Sequence, residues 1–175
     1  KLNDDIYVTG NLGDSFMGLQ LLTKKLRINN KLKKYFQKKY FLPDINIDLT
    51  EKLHKFANTS IDLSDGLLAD LKRLINKQKF SYKIYLDKIP VSKNLKKVLI
   101  KNKLNKSNFI SRGDDYQILF TASPSKSRII SKISKSLGIK ISKIGKICNH
   151  KEKSQIIDKK NKKIALKNKG YFHKF

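Results

Sequence analysis

Two aspartates and a serine lie close together in residues 60–71, which read SIDLSDGLLADL. Asp62 and Asp65 flank Ser64 where a strand-like run gives way to a helical pattern. Two carboxylates about 4 Å apart repel by roughly 4 kcal/mol at an effective dielectric constant near 20, and a divalent cation turns that repulsion into binding. Magnesium prefers one or two carboxylates with phosphate oxygens and water. Metal–phosphate binding is therefore one interpretation, and helix capping by Ser64 or Asp65 is the structural alternative.

A second polar cluster, SRGDDYQ, occupies residues 111–117 just before the apolar run 118–120. A polar loop that precedes a strand is a common origin of such a pattern. Adjacent acids beside Arg112 and Gly113 at the mouth of a strand could instead receive a cationic or phosphorylated ligand. The pattern leaves both interpretations open.

The remaining motifs exclude several chemistries. Residues 10–14, GNLGD, lack the Gly-Lys-Ser/Thr ending of a Walker loop and the third glycine of a dinucleotide fingerprint, so they predict a strand-to-helix turn. His54, His150 and His173 show no metal-ligand spacing, and no Ser/His/Asp set can be assembled. Nucleophilic hydrolysis is unsupported.

Strands and helices in mixed order must position these clusters. Apolar residues at 67, 68, 71, 74 and 75 predict an amphipathic helix directly after Gly66. Asp14 is expected to cap the first helix and Gly138 to close the last one. Strands are predicted at 6–9, 60–63, 80–86, 116–121, 139–147, 155–157 and 164–166, and further helices at 31–40, 49–56, 94–100 and 129–137. The mixture predicts an α+β or α/β fold, with helices packed on a sheet.

Composition and charge narrow the class of protein. The 175 residues and 39% hydrophobic content suit one globular domain. No apolar run reaches the roughly 20 residues that span a bilayer. The single cysteine, Cys148, excludes an internal disulfide, so we expect a reducing compartment, the cytoplasm. The net charge of +26 comes almost entirely from lysine, and a joint excess of lysine, asparagine and isoleucine favours a solvated surface over a specific nucleic-acid site.

Four segments, taken in order, resemble the C-terminal half of the thiamine-monophosphate kinases, a branch of the superfamily that includes aminoimidazole ribonucleotide synthetase. They are DIYVTGNLGD at 5–14, IDLSDGL at 61–67, GDDY at 113–116 and GYFH at 170–173. The order and spacing make the match specific over nearly the whole chain. The resemblance implies that superfamily's C-terminal α+β domain, a mixed sheet with helices packed on it, over residues 1–175. The start at Lys1, just before a strand, agrees with a missing N-terminal domain.

The implied activity is transfer of the γ-phosphoryl group of ATP to thiamine monophosphate, with magnesium, to give thiamine diphosphate and ADP. Asp62 and Asp65 resemble magnesium ligands, and Ser64 resembles the serine that contacts ATP. Asp114 matches the position that holds the substrate, and Tyr171 matches the terminal aromatic residue that packs on it. Such catalysis relies on positioning and charge neutralisation, so no catalytic nucleophile is expected.

The resemblance also implies partners. The full-length protein is expected to be a homodimer that binds neither a membrane nor a specific nucleic acid. The N-terminal domain of the family supplies further magnesium aspartates and most nucleotide contacts, so this chain alone is expected to be inactive.

Four features depart from the family pattern and bear on substrate affinity. Arg112 replaces the usual glycine, and Gln117 replaces the acid that commonly follows Tyr116. The segment Asp44-Ile45-Asn46 replaces the proline–arginine pair expected after Pro43, and Lys174 separates His173 from Phe175. Two other functions stay open. One is the corresponding half of a related ATP-using synthetase or hydrogenase-maturation protein, and the other is a basic module that binds RNA or DNA.

Overall fold

The computed structural model describes residues 1–75 and 78–165, and within these ranges one mixed sheet carries helices on both faces. The strands are β1 (Asp5–Thr9), β2 (Thr59–Asp62), β3 (Phe80–Tyr85), β4 (Ile118–Ala122), β5 (Ile141–Asn149) and β6 (Gln155–Ile157). The helices are α1 (Asp14–Leu22), α2 (Asn30–Phe41), α3 (Ile47–Thr50), α4 (Leu67–Leu74), α5 (Lys93–Lys101) and α6 (Ser127–Leu137). The predicted α+β architecture with a mixed sheet is confirmed.

The sheet has the strand order β2-β4-β1-β5-β3-β6. Neighbouring strands pair antiparallel, except that β3 and β6 are parallel. β1 is central and buried along its length, whereas β2 lies at one edge. This order sets the end of β2 beside the start of β4, with Asp62 opposite Ile118.

Alternating side chains of β1 divide the core into two layers, as expected for a strand that is covered on both faces. Ile6 and Val8 pack in the layer beneath α4. Tyr7 faces the opposite layer, where its ring stacks on Phe120 with centroids 5.2 Å apart, next to α3 and α6. A third cluster, around Phe36, joins α1, α2 and α5.

Four predicted elements differ from the structure. β5 begins and ends two residues later than the predicted 139–147. β4 begins at Ile118 because Tyr116 has a left-handed backbone, with φ of 49°. The helix predicted at 49–56 is split into α3 and a short 3-10 turn, Leu53–Lys55. The described part of the strand predicted at 164–166 forms only a backbone hydrogen bond from Ile164 to Ile156, 2.8 Å long.

The two predicted helix ends have different outcomes. Asp14 does not cap α1, because the N-cap is Gly13 and the Asp14 carboxylate instead accepts hydrogen bonds from Ser92 Oγ at 2.7 Å and Tyr35 OH at 2.9 Å. Gly138 does close α6, in a left-handed conformation with φ of 63°. Across the described residues, no helix combines the length and apolar character needed to cross a bilayer.

Candidate functional site

The two acidic clusters predicted from the sequence lie against each other. The loop between β2 and α4 bonds through its backbone to the loop that precedes β4. The N–H of Asp114 donates to the carbonyl of Ser64 at 2.9 Å, and the N–H of Tyr116 donates to the carbonyl of Leu63 at 2.9 Å. The Leu63 N–H returns a bond to the carbonyl of Gln117 at 2.8 Å. Segments about 50 residues apart in sequence therefore form one surface.

Two glycines allow this close approach. Gly66 has φ of 114°, and a Cβ atom there would lie 2.6 Å from the carbonyl oxygen of Ser111. Gly113 has φ of 85°, and its Cβ would lie 2.3 Å from the carbonyl oxygen of Ser64. Both positions need a positive φ and no side chain, so larger residues would separate the loops.

Asp70, in the first turn of α4, fixes the backbone at the N-terminus of that helix. Its buried carboxylate accepts hydrogen bonds from the N–H groups of Asp65 at 3.0 Å and Gly66 at 2.9 Å. Burial raises the pKa of Asp70, and these two backbone donors oppose the rise. The alternative interpretation, capping by Ser64 or Asp65, is therefore wrong: Gly66 is the N-cap, without a side-chain bond, and Asp70 accepts from the N–H groups of Asp65 and Gly66.

Arg73 places a protein cation beside Asp65, one of the two candidate metal ligands. Its guanidinium donates to Asp65 Oδ2 and, at 2.9 Å, to Asp70 Oδ1. The Asp65 carboxylate is thus neutralised by an ion pair with Arg73. Asp70 and Arg73 were not predicted from the sequence, although a spacing of three residues on one helix favours an ion pair between them.

Asp114 lies within electrostatic reach of Asp65. It is half-buried with φ of 59°, and its pKa is raised by burial first and then by the charge of Asp65. Asp62 is exposed at the end of β2 and, among the described residues, forms no side-chain hydrogen bond or ion pair. The structure therefore brings Asp65 and Asp114 together and leaves Asp62 on the solvent side of the same loop.

Of the other two predicted site residues, only Ser64 lies within the described residues. Ser64 is partly exposed between Asp62 and Asp65, and its carbonyl carries the contact to the second loop. Tyr171 lies outside the described residues.

Asp115 ties this surface to the turn between β1 and α1. It is buried, and both of its carboxylate oxygens accept the N–H of Gly13, at 3.0 and 2.9 Å. Burial raises the pKa of Asp115 to about 8; the Gly13 N–H opposes the rise, and the charge of Asp14 adds to it. Of the two adjacent acids at 114 and 115, the second is therefore structural.

The departure at Gln117 has a local explanation. Its Oε1 accepts hydrogen bonds from Thr9 Oγ1 at 2.8 Å and Asn46 Nδ2 at 3.0 Å, while its Nε2 donates to the carbonyl of Asp44 at 3.2 Å. A carboxylate could not make the last bond, because it has no N–H. Gln117 and Asn46, two of the departures, are thus joined by a hydrogen bond.

The predicted metal ligands can be compared with what magnesium requires. In residues 1–75 and 78–165, no group of three or more His, Cys, Asp or Glu side chains is arranged to hold a metal ion. One or two carboxylates suffice for magnesium when phosphate oxygens and water complete its coordination. Asp62 and Asp65 fit that donor set, at the N-terminus of a helix that favours phosphate.

Sequence comparison identifies the family. A thiamine-monophosphate kinase of Buchnera aphidicola subsp. Acyrthosiphon pisum is 37% identical over 178 residues, which cover 99% of this chain. The chain belongs to the thiamine-monophosphate kinase family. It spans about half the length of the curated relatives it matches, 53% in this case. No protein-family model matches the chain.

Two solved structures share the fold of this chain. The thiamine-monophosphate kinase of Stenotrophomonas maltophilia K279a superposes with a TM-score of 0.78 at 26% identity, covering 91% of this chain and 51% of that one. AaThiL complexed with AMPPCP and TMP superposes with a TM-score of 0.77 at 28% identity, covering 98% of this chain and 52% of that one. Both again match about half of the longer protein.

Proposed function

We propose that this chain is the C-terminal half of an ATP- and magnesium-dependent thiamine-monophosphate kinase. The observation that supports this most is the 37% identity over 99% of the chain. In the reaction, a phosphate oxygen of thiamine monophosphate bonds to the γ-phosphorus of ATP. The bond from that phosphorus to the β–γ bridging oxygen breaks, so that thiamine diphosphate and ADP are formed.

The loop between β2 and α4 is proposed to meet the nucleotide. Asp62 and Asp65 would hold magnesium and Ser64 would contact ATP, with Asp70 fixing the backbone of the loop. Bound magnesium supplies neutralisation of phosphate charge in such transfers. Arg73 balances the charge of Asp65 through an ion pair.

The adjoining loop is proposed to receive the thiamine moiety. A carboxylate at Asp114 would attract the positively charged thiazolium ring, and Tyr171 would pack on the substrate. Burial and the charge of Asp65 raise the pKa of Asp114, and a bound cation would lower that pKa. Binding of substrate should therefore release a proton at low pH.

A second half is needed to complete the enzyme. The described residues offer only Asp62 and Asp65 as proposed metal ligands, and the chain covers 53% of its Buchnera relative. An N-terminal domain would supply the remaining magnesium and nucleotide contacts, and the complete protein would be a homodimer in the cytoplasm.

A coupled assay of ADP release tests these assignments. The chain alone should show no turnover with thiamine monophosphate, whereas the chain joined to an N-terminal half should be active. In the joined protein, Asp62→Ala and Asp65→Ala should each lower kcat/KM by about two orders of magnitude. Asp48→Ala, at an exposed acid of α3, is the matched control and should leave activity unchanged.

Two results would overturn the proposal. Turnover by the chain alone would refute the division into halves, and full activity of both aspartate variants would refute their metal role. Thermal denaturation of the joined protein distinguishes a thiamine-monophosphate kinase from a related synthetase. Thiamine monophosphate with magnesium and a non-hydrolysable ATP analogue should raise the Tm of the joined protein, and aminoimidazole precursors should not.

A further inference from the structure

We propose a second binding site, with a lining separate from the loops described above, that takes a small anion with an apolar body. A cavity of about 990 Å³ opens between α5 and the turn that follows β6. None of the residues 62–66 or 113–117 lines it. Its size falls in the range of pockets that hold small molecules, roughly 300–1,000 Å³.

Part of the lining of this cavity is apolar, and we call this part its floor. Seven of its seventeen lining residues are aliphatic or proline, and they come from residues 86–91 and from α5 with its C-terminal turn. Ile100 contributes from α5 with 69% of its surface exposed, while Leu99 beside it is buried. An exposed isoleucine in a recess gains free energy when an apolar ligand covers it.

The rim of the cavity carries a large excess of positive charge. Seven lining residues are lysines and only two are acids. Lys96 lies on the same stripe of α5 as Leu99 and Ile100, and Lys103 follows the end of that helix. Lys159 and Lys160 line the cavity from the turn after β6. Within residues 1–75 and 78–165, none of the seven lysines forms an ion pair with an acid.

Lys106 is a fixed cation at the inner side of the cavity. Its Nζ donates hydrogen bonds to the carbonyls of Leu86 at 2.8 Å and Ile89 at 2.6 Å. Burial lowers the pKa of Lys106 to about 8, and the charges of Lys140, Lys159 and Lys96 lower it further against the opposing charge of Asp87. Mutual repulsion among these lysines would be relieved by a bound anion.

The combination of rim and floor selects the chemistry of the ligand. One phosphate, sulfonate or carboxylate group would meet the lysines, while the apolar body would lie on the floor. Inorganic phosphate would leave the floor exposed. A nucleic-acid strand would engage the lysines alone, and in such surfaces the bidentate arginine is the favoured contact.

Binding of 8-anilinonaphthalene-1-sulfonate to the full chain tests the site, without magnesium or nucleotide, so the outcome is independent of the kinase assignment. We expect saturable binding at one site per chain and much weaker binding of the uncharged N-phenyl-1-naphthylamine. Hexyl phosphate should displace the dye, and inorganic phosphate should not. Displacement by inorganic phosphate as readily as by hexyl phosphate would overturn the proposal, as would stronger displacement by an oligodeoxythymidine.

Charge-reversal pairs locate the binding. Lys96→Glu with Lys159→Glu should weaken dye binding by about tenfold or more. The control pair, Lys33→Glu with Lys34→Glu on the exposed face of α2, makes the same change in net charge and should weaken binding less than about twofold. Equal losses in the two pairs would assign the binding to overall charge and overturn the site. Ile100→Ser, at an exposed position, should weaken binding of the dye, and the variant should keep the Tm of the unsubstituted chain.

Discussion

At the scale of single residues, Asp115 links proton binding to folding. Its pKa is about 8 in the folded chain, against an ordinary value near 4, and the charged groups that influence it include Asp14 and Asp114. Between these two pKa values the folded state holds a proton that the unfolded state has lost. The contribution of Asp115 to stability is therefore largest in acid and is lost as the pH rises toward 8.

The free energy of unfolding should accordingly fall between about pH 5 and pH 7, by up to roughly 1.4 kcal/mol per pH unit from this group. Urea denaturation at several pH values measures the slope. Asp115→Asn keeps an acceptor for the Gly13 N–H but cannot titrate, so its slope should be shallower than that of the unsubstituted chain. Asp48→Asn, at an exposed acid, should retain the original slope. An unchanged slope in Asp115→Asn would contradict the assignment.

At the scale of elements, the contact between the two loops depends on glycine. An alanine at position 113 would have to adopt φ near 85° and would place Cβ 2.3 Å from the Ser64 carbonyl oxygen. Gly138 provides a matched control, because its φ is also positive, at 63°, but nothing lies within 4 Å of a Cβ built there.

Gly113→Ala should therefore reduce the free energy of unfolding by about 2 kcal/mol more than Gly138→Ala does. Both variants bear the cost of a left-handed alanine, so the difference isolates the steric clash. Urea denaturation of the two variants measures it. Equal destabilisation would mean that the loops can move apart without loss.

Local patterns were sufficient to predict most elements. The apolar spacing of residues 67–75 predicted α4, and Gly138 predicted the end of α6, because both signals act within a few residues. Strand β4 was predicted two residues early, since nothing in the identity of Tyr116 shows its left-handed backbone.

Contacts between distant segments could not be predicted in this way. The bonds from Asp115 to Gly13 and from Asp114 to Ser64 depend on the strand order, which brings β2, β4 and β1 together. The role of Asp70 could not be predicted either, because only the fold brings its carboxylate to the N–H groups of Asp65 and Gly66. The proposed metal and substrate roles of Asp62, Asp65, Ser64 and Asp114 stay predictions until the assays are done.

At the scale of the whole molecule, the net charge of +26 exceeds what ion pairing can offset. The described residues form salt bridges at only a few places, among them Lys143 with Asp5 at 2.6 Å and Arg73 with Asp70 at 2.9 Å. Lysines elsewhere repel one another, and self-repulsion favours the expanded, unfolded chain. Screening by salt should therefore stabilise this fold, although it weakens individual surface ion pairs.

The free energy of unfolding should rise by about 1–3 kcal/mol between roughly 0.05 and 0.5 M sodium chloride, because the Debye length falls from above 10 Å to about 4 Å. Urea denaturation across this range measures the change. The pair Lys33→Glu with Lys34→Glu lowers the net charge by four and should show a smaller rise, since less repulsion remains to be screened. A free energy of unfolding that stays constant or falls with salt would show that the lysines are spaced too widely to repel, and the same spacing would remove the electrostatic basis of the lysine-rimmed cavity.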